Sequence, residues 1–349
     1  MKDILSVFRY ERYRTTRNIV RMLSVVLVLM TFFGFSWGLY DMYYRDFYST
    51  PRPDPAITEI SPEQRADLAE EYADRIAALD QLVLQAEMVG APDRVLKVYE
   101  RERAELRFYL ETGTVEYDFL QADDILDPTQ GVNGGSFAFS ILVALRYLLY
   151  VYAIFLGASS FSAEHRSGTM RTLVASPISR RDIILGKFLY LAFETAATVF
   201  LAAAVAVGVS ALYGIEAPPI LARTATSFRE TTAFALVLVR FFSTWVGMVF
   251  LAALAATVGI VLRSSVAGLA IPAGFLMVSY GIFASIVMGD YSFNRTIDPE
   301  RLASGFPVIA LDLHLQGWNL DFTVAVLLHL AMAAGLLWIS HIAFRRQNI

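Results

Sequence analysis

Few residues of this chain have types and spacings that could do chemistry. Of the four histidines, only His329 and His341 share a segment, and they lie twelve positions apart, about three helical turns, so they cannot share one metal ion. The fragment nearest to a phosphate-binding loop is Gly186-Lys187, but Phe188 follows where that loop requires Ser or Thr. No cysteine occurs, which excludes thiolate catalysis, cysteine-ligated metals and disulfides. The sequence therefore predicts no catalytic residue, no cofactor-binding residue and no metal site.

Three ionisable residues, Arg146, Glu194 and Arg240, lie within or beside long apolar segments. A charged side chain is costly inside a bilayer and usually faces a cavity or a partner. We predict that these three residues line a cavity or form an intramembrane ion pair. The alternative is interfacial anchoring, with Glu194 near the inner end of its segment and Arg240 near the outer end of its own, where an arginine can extend to the headgroups.

A polar, basic stretch, Ser162–Lys187, separates two of the most apolar segments. Ser176-Pro177 would end a short helix in it, since Pro prevents continuation. Ser179 is a candidate N-cap of the next helix, with Asp182 in its first turn. The short helix would have a small apolar patch of Thr169, Met170, Leu173 and Val174. Such a helix, tied to two spans at the inner membrane face, could be moved by a soluble partner; the alternative is an ordinary cationic loop.

The elements that must position these residues are transmembrane helices. The 349 residues are 56% apolar with a mean hydropathy of +0.49, whereas soluble domains are about 45–50% apolar. A helix needs about 20 mostly apolar residues to cross a bilayer, and it satisfies its own backbone hydrogen bonds in lipid. We therefore predict an all-α membrane protein with six transmembrane helices. The supporting uncharged runs are Met22–Tyr40, Tyr147–Ala163 (extended back through Arg146 to Phe137), Thr195–Ile215, Phe241–Leu262, Ser264–Gly289 and Phe322–Phe344.

The cationic residues predict the orientation. Six spans place both termini on one side, and the short segments of that side, 2–21, 166–187 and 345–346, are rich in Arg and Lys. The segment 41–135 on the other side has 21 Asp and Glu against 9 Lys and Arg. The positive-inside rule therefore predicts a multi-pass protein of the plasma membrane with cytoplasmic termini. A cleaved signal peptide is the alternative for the first span, but its apolar run is too long for one.

These assignments divide the chain into consecutive segments. They are a cytoplasmic interfacial helix 1–18, a first span 19–40, an extracytoplasmic helical domain 41–135, a second span 136–161, a cytoplasmic loop 162–184, a third span 185–214, an outer loop 215–234, a fourth span 235–262, a fifth span 264–289, an outer or re-entrant segment 290–320, a sixth span 321–344 and a cytoplasmic tail 345–349.

The extracytoplasmic domain contains a predicted antiparallel helical hairpin. Ser61 with Gln64 fits a capping box, and Pro62 suits the first helical position. Gly90 would end the first helix and Gly113 the second. Apolar residues recur at helical spacing in both: Leu68, Tyr72, Ile76, Leu79 and Val83, then Leu96, Tyr99, Leu106 and Leu110. The hairpin, 61–112, could be a lid, a docking surface for an extracytoplasmic partner, or a solvated spacer.

The stretch FSAEHRSGTMRTLVASPISRRDIILGKFL resembles the signature of ABC-2 type transporter permeases. The family pattern is a Glu, then Gly-Thr, then Leu-x-x-Ser-Pro-x-Ser-Arg and a Gly-Lys that opens the next span; the matching residues are Glu164, Gly168, Thr169, Leu173, Ser176, Pro177, Ser179, Arg180, Gly186 and Lys187. The amino end, ILSVFRYERYRTTRN, resembles the amphipathic interfacial helix of that family. In that helix Ile4, Leu5, Phe8 and Ile19 would face lipid, and Arg9, Arg12 and Arg14 would face headgroups or a partner. The enlarged outer segment departs from the compact members.

The resemblance implies the transmembrane permease subunit of an ATP-driven exporter that is not itself an enzyme. Two copies of the permease, as a homodimer, would pair with two separate ATPase subunits, which would bind ATP and Mg²⁺; nucleic acid would have no part. The segment Glu164–Ala175 would be the coupling helix that docks on the ATPase. The residues predicted to couple are Glu164, Arg166, Gly168, Thr169, Arg171, Leu173, Ser176, Pro177 and Arg180.

The resemblance also implies a substrate cavity at the dimer axis, between the second and fifth spans. In the fifth span Gly268, Pro272, Gly274 and Gly281 would permit kinks and close packing. No span carries a row of polar ligands, so a hydrophobic or amphipathic substrate, such as a lipid, a peptide or a drug-like molecule, is favoured over an ion.

Three other functions fit the same pattern. The chain could be a permease that supports the maturation of an extracytoplasmic metalloenzyme, or a membrane sensor or scaffold that signals inward from the outer hairpin. A secondary transporter is the third, but it should show inverted internal repeats, and no convincing one is present.

Overall fold

The computed structural model describes residues 2–16, 25–31, 33–34, 61–90, 93–115, 134–167, 178–211, 219–223, 228–288 and 322–346. These residues are mainly helical, with a helical segment at 25–31. The elements are α1 (Lys2–Thr16), α2 (Pro62–Met88), α3 (Asp93–Thr112), α4 (Gly134–Ser167), α5 (Arg180–Ser210), β1 (Pro219–Arg223), β2 (Phe228–Thr232), α6 (Ala233–Leu262), α7 (Ser265–Met288) and α8 (Phe322–Arg346). The chain forms two compact units, the first from Met1–Gly38, Ile141–Val209 and Val237–Ile349, and the second from Leu39–Ser140 and Ser210–Leu236.

The first unit contains the helices predicted to cross the membrane. Within the described ranges, three helices are long and apolar enough to do so, Arg180–Val209, Val237–Leu262 and Val326–Arg346, and Ser265–Val278 is a shorter apolar helix. The three correspond to the predicted third, fourth and sixth spans. The predicted second span, 136–161, lies within the continuous helix α4. Most of the predicted first span, 19–40, lies outside the described residues, as does all of 290–320, so the total of six spans stays a prediction.

Helix α6 is the central element of the first unit. In its apolar window 67% of the residues are buried, against 39% in α5 and 17% in α8. Helix α4 reaches it at Gly157, where an added Cβ would collide with the backbone of Ala252. Helix α8 reaches it from another direction through a hydrogen bond of 2.8 Å between the hydroxyls of Thr257 and Ser340. The small residue and the paired hydroxyls let helix backbones approach closely, as membrane helices require in the absence of a hydrophobic driving force.

A two-residue turn connects α6 to α7. Arg263 adopts a left-handed conformation with φ of 51°, and Ser264 begins α7 by accepting the backbone N–H of Gly268 at 3.0 Å. Gly268 is also a close-packing point, since an added Cβ would lie 3.0 Å from the Ala255 carbonyl oxygen. Pro272 lies inside α7, whereas an added Cβ at Gly274 would meet open space. Gly268 therefore has the predicted close-packing role within the chain, and the role of Gly274 stays a prediction.

The second unit is built on the antiparallel pair α2 and α3. The predicted capping box is present, because Gln64 N donates to Ser61 Oγ at 3.2 Å and Ser61 N donates to the Gln64 side chain at 3.0 Å. Gly90 and Gly113 have φ of +67°, a conformation that favours glycine at helix ends. The core between the helices consists of Tyr72, Tyr109 and Val115 with Leu68, Leu106 and Phe108 against them.

A short antiparallel β-hairpin completes the second unit. Strand β1 pairs with β2 from Pro219 opposite Thr232 to Arg223 opposite Phe228, and β2 contacts α3. These strands lie in the predicted outer loop 215–234 and add β-structure to a fold predicted as all-α. Five-residue strands were missed because the prediction rested on apolar runs of membrane-spanning length, although Ile220, Thr231 and Thr232 are β-branched.

Candidate functional site

The described part of the predicted coupling loop is its frame, formed by the end of α4 and the start of α5. Helix α4 continues to Ser167 and α5 begins at Arg180, so the residues between the two helices are 168–179. Glu164 and Arg166 lie in the last turns of α4, and nothing is described of their side chains. The remaining predicted coupling residues up to Pro177 lie outside the described residues: Gly168, Thr169, Arg171, Leu173, Ser176 and Pro177.

The start of α5 has the predicted N-cap. The backbone N–H of Asp182 donates to Ser179 Oγ at 3.1 Å, and the Ser179 hydroxyl donates to Asp182 Oδ2 at 2.7 Å. The first contact gives a partner to one of the backbone N–H groups that otherwise lack one at the start of a helix. The Asp182 carboxylate also places a negative charge near the positive end of the helix dipole. The cap fixes where the loop ends and where the rigid part of α5 begins.

Arg180, the one predicted coupling residue whose side chain is described, binds the end of α8. Its Nη1 donates to the carbonyl oxygens of Phe344 at 3.1 Å and Arg345 at 3.0 Å. The last carbonyls of a helix have no intrahelical donor, and a cation there also offsets the negative end of the helix dipole. Arg180 therefore fastens α5 to α8 within the chain; its contact with an ATPase stays a prediction.

Helix α1 packs directly against α5 at Gly186. A Cβ added at Gly186 would lie 2.6 Å from the Cβ of Val7 and 3.0 Å from the carbonyl oxygen of Ile4. Val7 is 3% exposed. Glycine is thus required for the close approach of the two helices, which gives a structural reason for the first residue of the Gly-Lys pair.

Lys187, the second residue of that pair, is buried at the centre of the contact. Its Nζ donates to Glu11 Oε1 of α1 at 2.5 Å and to the backbone carbonyl of Ser160 in α4 at 3.0 Å. The ammonium also lies 4.9 Å from the ring centroid of Phe161. The side chains of Lys187 and Glu11 are each 1% exposed. Buried charges persist in proteins when they are paired and hydrogen-bonded, as both are here. We call Glu11, Ser160, Gly186 and Lys187 the α1 joint.

Aromatic side chains extend the α1 joint along α5. Phe8 makes edge contacts with Tyr190 and Phe193, with ring centroids 6.2 Å and 5.4 Å away, and the Arg12 guanidinium carbon lies 6.0 Å from the Phe193 centroid. Such pairs contribute beyond the apolar area they bury. The prediction that Phe8 faces lipid is therefore wrong, since its ring packs on α5; for Ile4 the same prediction stays open, because only its backbone carbonyl approaches Gly186.

Leu5, predicted to face lipid, is exposed, and so are Arg9 and Arg12, predicted to face headgroups or a partner, although Arg12 also reaches Phe193. Ile19 lies outside the described residues. The sequence did contain a signal for the joint. Glu11 falls four positions after Val7, within the apolar stripe rather than opposite it, which is an unusual position for a carboxylate on a helix face that meets lipid.

The described residues show where the three intramembrane ionisable residues lie, and the prediction that they line a cavity stays a prediction. Glu194 accepts hydrogen bonds from the hydroxyls of Tyr190 at 3.0 Å and Tyr152 at 3.4 Å, and it forms no ion pair with either arginine in the described part of the chain. Arg146 donates to the Tyr147 hydroxyl at 3.2 Å and is 3% exposed. Arg240 is 2% exposed, so it is enclosed by protein rather than extended towards an interface. Glu194 thus belongs to a tyrosine cluster one turn beyond Tyr190.

A known family of proteins matches almost the whole sequence of this chain. The sequence model of the family described as ABC-2 family transporter protein matches residues 12–344, a range that begins within α1, includes α2 to α7 and ends two residues before the end of α8. A search of curated proteins found no match. The family match agrees with the resemblance of the segment 162–187 and extends it over both compact units. The chain therefore belongs to the ABC-2 family of transporter membrane proteins.

Proposed function

We propose that this chain is the permease subunit of an ATP-driven exporter, in which a separate ATPase subunit binds ATP and Mg²⁺. The observation that carries the proposal is the family match over residues 12–344 together with the lack of a phosphate-binding loop anywhere in the 349 residues. A transporter of this family needs a source of work, and this sequence does not contain the motif that would bind the nucleotide. Two ATPase copies and a second copy of the permease complete the proposed assembly.

The frame of the coupling loop supports this mechanism. The segment 168–179 connects two long helices, and α5 is fastened to α1 by Lys187 and to α8 by Arg180. A force applied to the loop by a bound ATPase would therefore reach four helices through hydrogen bonds and ion pairs rather than through flexible chain. Glu164 and Arg171 are the loop residues proposed to contact the ATPase.

The composition of the second unit supports the proposed orientation. It unites Leu39–Ser140 with Ser210–Leu236, the two segments predicted to lie outside the membrane on the same side. The second and third predicted spans separate these two segments in the sequence. If the third span did not cross the membrane, the two segments would lie on opposite sides of it. With these two segments on one side, the short segments 2–21, 166–187 and 345–346, rich in Arg and Lys, lie on the other side, and by the positive-inside rule they support a cytoplasmic loop, cytoplasmic termini and a plasma-membrane location.

The described spans support a hydrophobic or amphipathic substrate. Their exposed side chains are largely apolar, including Leu238, Met277 and Trp338. The charged residues Arg146 and Arg240 are enclosed by protein, whereas ion pathways place such groups along a cavity. Export is the proposed direction.

The proposal is tested by purifying the tagged chain from its own cells and measuring the ATPase activity of what remains bound. We expect a nucleotide-binding subunit to copurify and its ATPase activity to be stimulated by the permease. Glu164→Ala and Arg171→Glu should abolish the stimulation. Arg346→Glu, a reversal of an exposed charge at the end of α8, is the matched control and should leave it unchanged. A purified chain without any ATPase subunit, or stimulation that survives both loop substitutions, would contradict the proposal.

A further inference from the structure

We propose that Glu11 and Lys187 are positioning residues of the transport cycle, whose ion pair keeps α1 docked so that α1, the end of α4 and the start of α5 move as one body. The inference rests on the proposed function above and adds to it a specific mechanical part. Glu11 precedes the first residue of the family match.

The donors of Lys187 connect three helices through one side chain. A lysine ammonium has three N–H donors, and the surroundings of Nζ include Glu11 Oε1 at 2.5 Å, the Ser160 carbonyl oxygen at 3.0 Å and the Phe161 ring at 4.9 Å. Each of these belongs to α1 or α4, whereas Lys187 belongs to α5. The side chain therefore holds its own helix to two others at a single point.

Because the ion pair is buried, it favours one position of α1 over shifted positions. Both side chains are 1% exposed, so the attraction between the charges is largely offset by the cost of removing them from water. If α1 left its place, Glu11 could regain solvent, but Lys187 would lose the carboxylate that pairs with its buried ammonium. Partial or shifted docking of α1 is therefore disfavoured more strongly than it would be by apolar packing alone.

The position of the joint relates it to the coupling loop. Ser160 lies seven residues before the end of α4, and Lys187 lies seven residues after the start of α5. At 1.5 Å per residue, each is about 10 Å from the loop. The α1 joint thus connects the end of α4 and the start of α5 at the same distance from the loop. A displacement of the loop would therefore move α1 as well.

The first measurement reports the docking of α1 without any need for the ATPase. The chain has no cysteine, so Val7→Cys introduces a single thiol at a position that is 3% exposed. In membranes, its reaction with a permeant maleimide should be about tenfold faster or more when Lys187→Met is added, because the buried Glu11 then loses the ammonium it pairs with. Replacing both residues, Glu11→Leu with Lys187→Met, should restore protection. Tyr13→Cys, at a position 56% exposed, is the control and should react equally fast in all backgrounds.

The second measurement reports coupling in the complete complex. Permease-stimulated ATPase activity should fall about tenfold or more in Glu11→Leu and in Lys187→Met alone, since each removes one charge of a buried ion pair. The double replacement should recover most of the activity, a non-additivity that identifies the two residues as a pair. The loss should appear in kcat and not in KM for ATP, because the nucleotide site is on the other subunit. Asp3→Asn, an exposed carboxylate on the same helix, is the matched control.

The outcomes separate this inference from the proposed function. If the unmodified chain retains no ATPase subunit, the proposed function fails, and the thiol reaction alone decides whether the pair docks α1. If an ATPase is retained and stimulated but the single replacements leave the thiol protected, the pair does not hold α1 and the inference is overturned. If the thiol becomes reactive while stimulation stays normal, α1 is not part of the coupling path, which also overturns it.

Discussion

The two compact units of this protein place ion pairs in opposite environments. In the second unit, Arg103 and Asp80 join α3 to α2 at 2.7 Å with side chains 27% and 45% exposed. In the first unit, Lys187 and Glu11 join α5 to α1 at 2.5 Å with both side chains 1% exposed. The distances are similar, yet exposed pairs are screened by water and buried pairs are not. An exposed pair such as Arg103 and Asp80 is therefore expected to contribute little to its helical contact, whereas removal of one member of the buried pair is expected to destabilise the contact strongly.

The largest expected effect is from the loss of one partner of the buried pair. Lys187→Met should lower the free energy of unfolding by about 3–5 kcal/mol, because it removes one member of a buried ion pair and leaves the other buried. The thermal unfolding of the purified protein in detergent measures this. A change as small as that of an exposed pair would show that water reaches the α1 joint and that the contrast between the two units is false.

A smaller effect is expected at the neighbouring glycine. Gly186→Ala places a methyl group 2.6 Å from the Val7 Cβ, so α1 must move outward, at a cost of about 1–3 kcal/mol typical of overpacking. The same thermal unfolding measurement applies. The matched control is Gly274→Ala in α7, where an added Cβ meets open space and removal of a helix-interior glycine should be neutral or slightly stabilising. Equal responses of the two glycines would contradict the close contact at α1.

The smallest effect is expected in the second unit. Arg103→Met removes a cation from an exposed pair and should change the free energy of unfolding by about 0.2–1 kcal/mol. Added salt should reduce the difference further, since exposed charges are screened. Chemical unfolding of the full chain at low and high salt measures both. A loss comparable to that of Lys187→Met would mean that the α2–α3 pairing depends on its charges as strongly as the α1 joint does.

Sequence patterns predicted those features whose partners are close in the chain. The capping box uses Ser61 and Gln64, and the α5 cap uses Ser179 and Asp182, each three positions apart, a spacing that the helix itself turns into contact. The apolar runs of α5, α6 and α8 were likewise found from local composition. These signals need no knowledge of the tertiary fold.

The α1 joint could not be predicted in the same way. Glu11 and Lys187 are 176 positions apart, and Arg180 and Phe344 are 164 apart, so each pairing exists only once the spans have packed. The sequence placed Lys187 in a family signature without a partner, and it placed Arg180 on the ATPase side without showing its bonds to α8. The strands β1 and β2 were missed because they are too short for a clear sequence pattern and are recognised only by their pairing with each other.

The two-residue turn at Arg263 and Ser264 limits how the centre of the first unit can open. Helices α6 and α7 meet there, and Gly268 is hydrogen-bonded to Ser264 at 3.0 Å and lies against Gly259. Because α6 and α7 are connected by a short turn at one end, they can separate only at their other ends. A passage between α6 and α7 would therefore be a wedge, closed at the tied end and widest at the far end, and any cargo that uses it must enter and leave sideways or from the open end.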